Sequence, residues 1–222
     1  LLGNGTQFGI RLSYVIQPTP NGLAQALILA EDFLEGGPSC LVLGDNIFYG
    51  QGFKEYLDRA THRENGATIF AYKVKRPEQF GVVEFVEGKA VSLAEKPKYP
   101  RSHYAITGLY FYDSHAPEMA RSLKPSLRGE LEITDLNQLY LDQEKLHVEI
   151  FGRGFAWLDT GTHDSLLQAS NFIEAIESRQ GMKVACPEEI AFGMDYIDRE
   201  QLNALISDMG DTGYADYLRH LE

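Results

Sequence analysis

The segment Cys40-Leu41-Val42-Leu43-Gly44-Asp45-Asn46 joins an uninterrupted apolar run to three turn-forming residues. A continuous apolar run of this length is typical of a β-strand that is covered on both faces. Apolar residues recur at helical spacing over 23–34, while 53–63 and 67–72 are typical of a helix and a second buried strand. This alternation predicts an α/β fold with a Rossmann-like, mixed and mainly parallel sheet flanked by helices.

The pattern changes in the middle of the chain. Strand-like segments at 82–85, 90–94 and 103–112 are separated by short turns, which predicts an added antiparallel portion. The other predicted elements are a strand at 12–16, helices at 117–123 and 130–142, a strand at 148–151, a long helix after 162 and a helical tail at 187–222. We expect one domain over residues 1–222, with the helical tail packed on it.

Charge and composition exclude several classes of protein. Twenty basic and 32 acidic residues give a net charge of −12, and a surface of this sign repels nucleic acid. The sequence has no window of 18 apolar residues, so no segment is predicted to span a membrane. A phosphate substrate would need a local arginine, lysine or metal ion, because the overall field opposes it.

The cysteines and histidines give no zinc-binding pattern. Cys40 and Cys186 lie 146 positions apart without CxxC spacing, which is typical of buried thiols in a reducing compartment. The six histidines form no HxH or HxxxH pair, which argues against a zinc site. We expect a cytoplasmic protein.

Two aspartates lie where an α/β sheet binds its ligands, beyond the carboxyl ends of strands. Asp45 follows the apolar run and could hold Mg²⁺, although Gly44-Asp45-Asn46 is also ordinary turn chemistry. Asp159 offers a second carboxylate, although Asp159 or Thr160 could instead cap the following helix. The two aspartates are 114 positions apart, and no spacing rule brings them together.

Two basic residues lie beside carboxylates. In Glu95-Lys96-Pro97 the lysine could hold an anion while the glutamate accepts a sugar hydroxyl, or both could be solvated at a strand end. Arg128 precedes a predicted helix with acidic residues in its first turn, and is either a phosphate contact or a surface residue.

The order of these motifs resembles the glucose-1-phosphate thymidylyltransferase family of bacteria. The resemblance covers essentially the whole chain, including the tail at 186–192. Seven collinear motifs carry it, at 17–26, 43–50, 80–85, 95–97, 107–113, 128–135 and 157–162.

The resemblance implies an activity and an assembly. Members transfer a thymidylyl group from dTTP to glucose 1-phosphate, which gives dTDP-glucose and pyrophosphate for dTDP-sugar biosynthesis of the dTDP-rhamnose type. It further implies a Mg²⁺ cofactor, a homotetramer and regulation by dTDP sugars. A second nucleotide site near a subunit interface would correspond to Tyr49, Gly50 and 188–190.

The resemblance also implies residue roles. Asp45 and Asp159 match the two Mg²⁺-binding aspartates, and Lys96 and Arg128 match residues that face the sugar phosphate. Gln17 matches the residue that reads the base, and Gly22 the glycine that lets backbone approach it. The remaining matches are substrate contacts at Leu23, Leu43, Gly81, Glu95, Ile106, Tyr110 and Trp157. Phe80 stands where relatives often have tyrosine.

One family feature is not in the sequence. Members begin with a strand and a Gly-rich loop carrying an arginine, followed by a lysine, whereas this sequence begins Leu1-Leu2-Gly3. We therefore expect the isolated 222-residue chain to make no product and to leave one flank of the 40–43 strand unpaired. Two alternatives stay open, namely an enzyme that uses UTP and a non-catalytic subunit that binds nucleotide sugars.

Overall fold

The computed structural model describes residues 2–221, which form two compact units. The larger unit is Ile16–Leu166, and the other comprises residues 2–15 with 167–221. That the chain folds as one domain, with the helical tail packed on it, stays a prediction.

The larger unit contains all eight strands found between residues 2 and 221. They are β1 (Ser39–Val42), β2 (Asn46–Tyr49), β3 (Ala67–Lys73), β4 (Gly81–Val86), β5 (Lys89–Glu95), β6 (Tyr104–Tyr112), β7 (Leu146–Ile150) and β8 (Ala156–Asp159). The helices of this unit are α1 (Gln25–Leu29), α2 (Glu31–Leu34), α3 (Phe53–Thr61), α4 (Ala116–Ser122) and α5 (Ile133–Asp142), and α6 (His163–Gln180) begins in it.

The main sheet is mixed, which confirms the predicted α/β class. Its order is β5-β4-β6-β3-β7, and β1 pairs with the second half of β6. The mainly parallel character is corrected, because β6 runs antiparallel to β1, β3 and β4. Within residues 2–221 the parallel pair is β3–β7. The strands β1, β3 and β7 still share one direction, as expected for strands linked through helices.

Two strand predictions are corrected in their details. The strand at 40–43 forms, but Cys40 is exposed and Val42 is 52% exposed, so it is not covered on both faces. Among the described residues β1 pairs with β6 alone, as expected for its unpaired flank. The segment 12–16 forms no strand, and Ile16 is 86% exposed, because its alternating pattern finds no partner strand in the described chain.

Helices cover the sheet on both sides, and the core follows the strand alternation. Ile69 and Ala71 on β3 face one cluster that includes Leu136 of α5, while Phe70 faces another that includes Ala60 of α3. The predicted antiparallel portion is confirmed, since β4 pairs with β5 in a hairpin and with β6. The sheet therefore holds the loops at its strand ends in fixed positions.

The second unit contains the predicted helical tail. Its helices α7 (Pro187–Gly193), α8 (Arg199–Asp208) and α9 (Gly213–Arg219) surround a core that includes Leu202 and Leu218. No helix formed by residues 2–221 is both long enough and apolar enough to cross a membrane.

Candidate active site

A cleft of about 550 Å³ in the larger unit collects most of the predicted site residues. The predicted residues that line it are Leu23, Leu43, Asp45, Gly81, Glu95, Lys96, Ile106, Tyr110, Arg128, Trp157 and Asp159. Gln17 and Gly22 are not among its lining residues. The cleft thus brings together side chains from seven separate motifs.

Asp45 and Asp159 lie together at one end of the cleft. The strands β2 and β8 pair antiparallel, with Asn46 opposite Asp159. Thr160 extends this link, because its backbone N–H and its hydroxyl donate to the Asp45 carbonyl oxygen at 2.8 and 2.9 Å. A Cβ placed on Gly161 would lie 3.0 Å from Asp159 Oδ1 and 3.5 Å from Asp45 Oδ2. Both carboxylates therefore border one small volume beside Gly161.

The structure resolves the capping alternative for Asp159. The helix α6 begins at His163, and the hydroxyl of Thr162 accepts from the Ser165 backbone N–H at 3.1 Å. Thr162, not Asp159 or Thr160, therefore caps this helix. Asp159 Oδ1 accepts from the Gly161 backbone N–H at 2.9 Å, and its carboxylate stays in the wall of the cleft.

The two carboxylates are suited to a hard cation. Mg²⁺ is commonly held by one or two carboxylates together with the phosphates of a substrate. Across residues 2–221 no group of three or more His, Cys, Asp or Glu side chains is arranged to hold a metal. The donor set at Asp45 and Asp159 thus fits a cation that shares its coordination with phosphate.

Arg128 lies in the same cleft within a group of carboxylates. Its Nε and Nη2 donate to the two oxygens of Glu132 at 3.1 and 2.9 Å, and Nη2 also donates to Glu130 at 3.1 Å. Nη2 lies 3.6 Å from Glu95 Oε1. The hydrogen bond with Glu132 raises the pKa of Arg128. Burial raises the pKa of Glu132, but hydrogen bonds from Arg128 and Ser126 outweigh it and lower the pKa below its ordinary value. Both partners therefore stay charged.

The start of the helix predicted at 130–142 is corrected. The helix α5 begins at Ile133, and Glu132 before it is extended. Glu130 and Glu132 therefore do not fill the first turn of a helix. They pair with Arg128, because an extended segment lets both side chains reach its guanidinium.

Glu95 and Lys96 occupy an ordered strand end. Glu95 Oε2 accepts from the Thr134 hydroxyl at 2.5 Å, and the Lys96 backbone N–H donates to the Phe80 carbonyl oxygen at 3.0 Å. Lys96 has a φ of 41°, in the left-handed region. A Cβ on Gly81 would lie 2.9 Å from Thr134 Oγ1 and 3.3 Å from Glu95 Oε2. Position 81 therefore has to be small for these two side chains to meet.

Aromatic side chains form the apolar part of the cleft. The Trp157 ring, 8% exposed, meets Phe80 edge to face with centroids 5.0 Å apart. Tyr110 is buried, and burial together with the charge of Glu95 raises the pKa of its hydroxyl, which stays neutral. These rings offer a neutral surface between the acidic and basic groups.

Gln17 and Gly22 lie on a neighbouring loop. The Gln17 side-chain amide donates to the Gly22 carbonyl oxygen at 3.2 Å and to Gln25 Oε1 at 2.7 Å. Gly22 has a φ of 100°, and a Cβ there would lie 2.4 Å from the Leu131 carbonyl oxygen. The structure thus gives Gly22 a requirement that the sequence did not indicate, which is close approach to the backbone of Leu131.

Comparison with known proteins identifies the family. The model of the family described as nucleotidyl transferase matches residues 1–176. The chain belongs to the nucleotidyl transferase family. The predicted resemblance is confirmed by relatives named glucose-1-phosphate thymidylyltransferase. One from Xanthomonas campestris pv. campestris is 58% identical over all 222 residues and 75% of its own length. One from Neisseria meningitidis is 54% identical over all of this chain and 77% of its own length.

Solved structures support the nucleotidyl transferase fold. A Bacillus anthracis structure described as a glucose-1-phosphate thymidylyltransferase in complex with a sucrose has a TM-score of 0.70 and 42% identity. The match covers 77% of this chain and 68% of the Bacillus anthracis chain. A UDP-glucose pyrophosphorylase complexed with UDP-glucose has a TM-score of 0.61 and 22% identity over 72% of this chain and 65% of that chain, so it supports the fold alone.

Three cleft residues of this nucleotidyl transferase were not singled out from the sequence. Glu132 and Thr134 line the cleft and hold Arg128 and Glu95, and Asn46 contacts Trp157. Glu132 was interpreted as a complement to a helix dipole, and Asn46 as a turn residue. Local patterns gave no signal for these contacts, because each partner lies on another segment or in an unexpected backbone conformation.

Proposed function

We propose that the protein that contains these 222 residues transfers a thymidylyl group from dTTP to glucose 1-phosphate, which yields dTDP-glucose and pyrophosphate; that the 222 residues alone make no product stays a prediction. One observation carries the proposal. A single cleft holds two carboxylates beside Gly161, and also Arg128, Lys96 and an apolar aromatic wall. The choice of these two substrates is supported by the names of relatives that are 54–58% identical over the whole chain.

The basic groups would bind the sugar phosphate. Arg128 presents a planar set of donors that suits phosphate, and its pairing with Glu132 fixes the direction of the guanidinium. Lys96 would add a second positive charge on the same side. Glu95 would accept a sugar hydroxyl, since the hydrogen bond from the Thr134 hydroxyl to Oε2 already fixes the position of its side chain. This arrangement would place the phosphate oxygen for attack on the α-phosphorus in line with the leaving pyrophosphate.

The acidic pair would hold a divalent cation, for which we propose Mg²⁺. Asp45 and Asp159 would supply its protein ligands, and phosphate oxygens would share its coordination. A bound cation would supply positive charge that offsets the repulsion between two polyanions. The chain itself contributes position, because the β2–β8 pairing holds the backbone of both aspartates close together.

Gln17 would read the base. Its side-chain amide offers one acceptor and a donor pair, which complements the N3–H and an adjacent carbonyl of a pyrimidine. In this chain the amide contacts Gly22 and Gln25, so these hydrogen bonds would have to be exchanged for those of the nucleotide. Leu23 follows Gly22 in the chain and lines the cleft. It would therefore lie between the base held by Gln17 and the sugar phosphate held in the cleft.

The assembly and the regulation are further parts of this proposal. From the family resemblance we propose a cytoplasmic homotetramer that serves a dTDP-rhamnose type of pathway. Regulation by dTDP sugars would act through a second nucleotide site near a subunit interface. Light scattering on the purified protein, with and without a dTDP sugar, tests the assembly independently of the reaction.

A product assay tests the activity and separates the alternatives. The full-length gene product is incubated with glucose 1-phosphate, Mg²⁺ and either dTTP or UTP, and the nucleotide sugars are identified by mass spectrometry. We expect dTDP-glucose, with UTP less efficient by ~10–200-fold through its base alone, because thymine differs from uracil by one methyl group, which is worth ~1–3 kcal/mol in a pocket. The 2′-hydroxyl of UTP is a second difference between the two nucleotides. Product from UTP alone supports the uridylyl alternative. Tight nucleotide-sugar binding without any product supports the binding subunit.

A further inference from the structure

The Asn46 side chain contacts two other segments of the cleft and the neighbouring residue Asp45. Its Oδ1 accepts from Trp157 Nε1 at 2.6 Å and from the Gly108 backbone N–H at 2.9 Å. Its Nδ2 donates to Asp45 Oδ1 at 2.8 Å. One carboxamide thus connects the aromatic wall, the β6 backbone and a carboxylate of the acidic pair.

These partners fix the orientation of the carboxamide. The indole and the backbone N–H can only donate, so both must meet the oxygen of Asn46. The Asp45 oxygen Oδ1 accepts a hydrogen bond, so it must meet the nitrogen. A flipped amide would place donors against donors and an acceptor against an acceptor. Asn46 therefore has one orientation that satisfies all three neighbours.

Gly108 makes room for this contact. A Cβ at position 108 would lie 2.6 Å from Asn46 Oδ1 and 2.7 Å from Leu43 Cδ1. A side chain at position 108 would therefore displace the carboxamide from the β6 side. The requirement for glycine is steric, and it points independently to the same oxygen atom of Asn46.

We propose that Asn46 is a positioning residue for the transfer reaction. It holds the Trp157 indole as a wall of the cleft and orients the Asp45 carboxylate, so it couples the sugar side to the acidic side. This inference rests on the proposed function for its effect on catalysis. Its structural part stands on the contacts of Asn46 alone. Without Asn46, the nearly buried Trp157 would lose the partner of its ring N–H, and the ring would turn to find another.

Tryptophan fluorescence tests the structural part without substrate. Trp157 is the one tryptophan of the 222-residue sequence, and subtracting the spectrum of a Trp157→Phe counterpart isolates its emission. We expect Asn46→Ala to shift the emission maximum and to increase quenching by acrylamide. Asn46→Asp keeps an acceptor for Trp157 and should keep the emission of the parent protein, while it loses the donor to Asp45.

Glycine variants test the same contact from the other side. Gly108→Ala should reproduce the emission shift of Asn46→Ala, because both displace the acceptor of the indole. Gly152→Ala is the matched control, since no atom lies within 4 Å of its added Cβ. Thermal melting identifies any variant that does not fold. If Asn46→Ala does not fold, Gly108→Ala against Gly152→Ala decides the test.

Kinetics then test the effect on the reaction. We expect Asn46→Ala to lower kcat/KM for glucose 1-phosphate by ~10-fold or more, as for the loss of a buried hydrogen bond to a functional group. Asn46→Asp should lower kcat while the fluorescence stays unchanged, since its two oxygens place a like charge beside Asp45. Unchanged fluorescence in both Asn46→Ala and Gly108→Ala would overturn the inference. If the two variants shift the fluorescence but the parent protein makes no dTDP-glucose, the contact of Asn46 with Trp157 stands and only the proposed function is refuted.

Discussion

The carboxylates of Asp45 and Asp159 border the same volume beside Gly161, although the two residues are 114 positions apart in the sequence. The antiparallel pairing of β2 with β8 produces this arrangement, because it places Asn46 opposite Asp159 and brings Asp45 next to Thr160. The proximity of the two aspartates is therefore a property of the backbone ladder.

The acidic pair should act as one unit. We expect Asp159→Asn to leave the fold intact and to remove most of the transfer activity at any Mg²⁺ concentration, because one carboxylate holds the cation too weakly. Asp45→Asn should behave alike, and the double variant should be little worse than either single one. A coupled assay of pyrophosphate release measures all three, with the exposed Asp32→Asn as the matched control. A near-normal rate in either single variant would refute the role of the pair.

Glu132 should matter more than Glu130 for the position of Arg128. Glu132 is 8% exposed and binds both Nε and Nη2, whereas Glu130 is 37% exposed and contacts Nη2 alone. We expect Glu132→Gln to raise the KM for glucose 1-phosphate by ~10-fold, and Glu130→Gln to change it little. Steady-state kinetics at saturating dTTP measures both variants. Equal effects would show that the direction of the guanidinium is not set by Glu132.

Gly81 should be required for the sugar side of the cleft. A Cβ at this position would lie 2.9 Å from Thr134 Oγ1 and would separate Thr134 from Glu95. We expect Gly81→Ala to raise the KM for glucose 1-phosphate and to change the KM for dTTP little. Gly152→Ala, whose Cβ meets no atom within 4 Å, is the control. An equal rise in both KM values would indicate a general loss of structure.

The stability of the larger unit should fall in mild acid through His147. His147 is exposed, yet partial desolvation lowers its pKa below 6.5, with a further contribution from the charge of Arg63, so we expect a small effect on stability. The unfolded chain therefore binds a proton before the folded chain does. The free energy of unfolding should be highest above pH 6.5 and should decrease as the pH falls below it. Urea unfolding over a pH series measures this, and His147→Gln should flatten that part of the profile.

A second decrease should follow at lower pH. Burial raises the pKa of Glu149, but hydrogen bonds from Arg59 and Arg63 outweigh it, so the pKa lies below 4.5. The carboxylate therefore stabilises the fold above pH 4.5, and this contribution disappears as the pH falls through its lowered pKa. Because this is a separate group, it should persist in His147→Gln and vanish in Glu149→Gln. The exposed His163→Gln should keep both decreases.

Strands and helices were largely predictable, whereas the pairing of strands was not. The apolar run at 40–43 predicted β1 but not its exposed face, because burial depends on which strands lie beside it. The insertion of β6 between β1 and β3 is a long-range pairing that no local pattern encodes. The segment 12–16 alternates like a strand but has no partner strand in the described part of the chain.

The family resemblance predicted Asp45, Asp159 and Arg128 as site residues, and all three line one cleft, while their roles stay predictions. The contacts between the cleft residues were not predictable. The sequence could not show that Glu132 pairs with Arg128, because that depends on α5 beginning at Ile133 rather than at Glu130. Nor could it show the contact of Asn46 with Trp157, which requires β2 to lie against β8.

The central claim is that this cleft joins dTTP to glucose 1-phosphate. Phosphorus NMR tests it most directly, by following both substrates in one sample with Mg²⁺ and the full-length gene product. We expect dTDP-glucose and pyrophosphate to appear in equal amounts as both substrates disappear, and Asp159→Asn to form almost none of either. A parent protein that leaves both substrates unchanged, or an Asp159→Asn variant that forms the products as fast as the parent protein, would contradict this assignment.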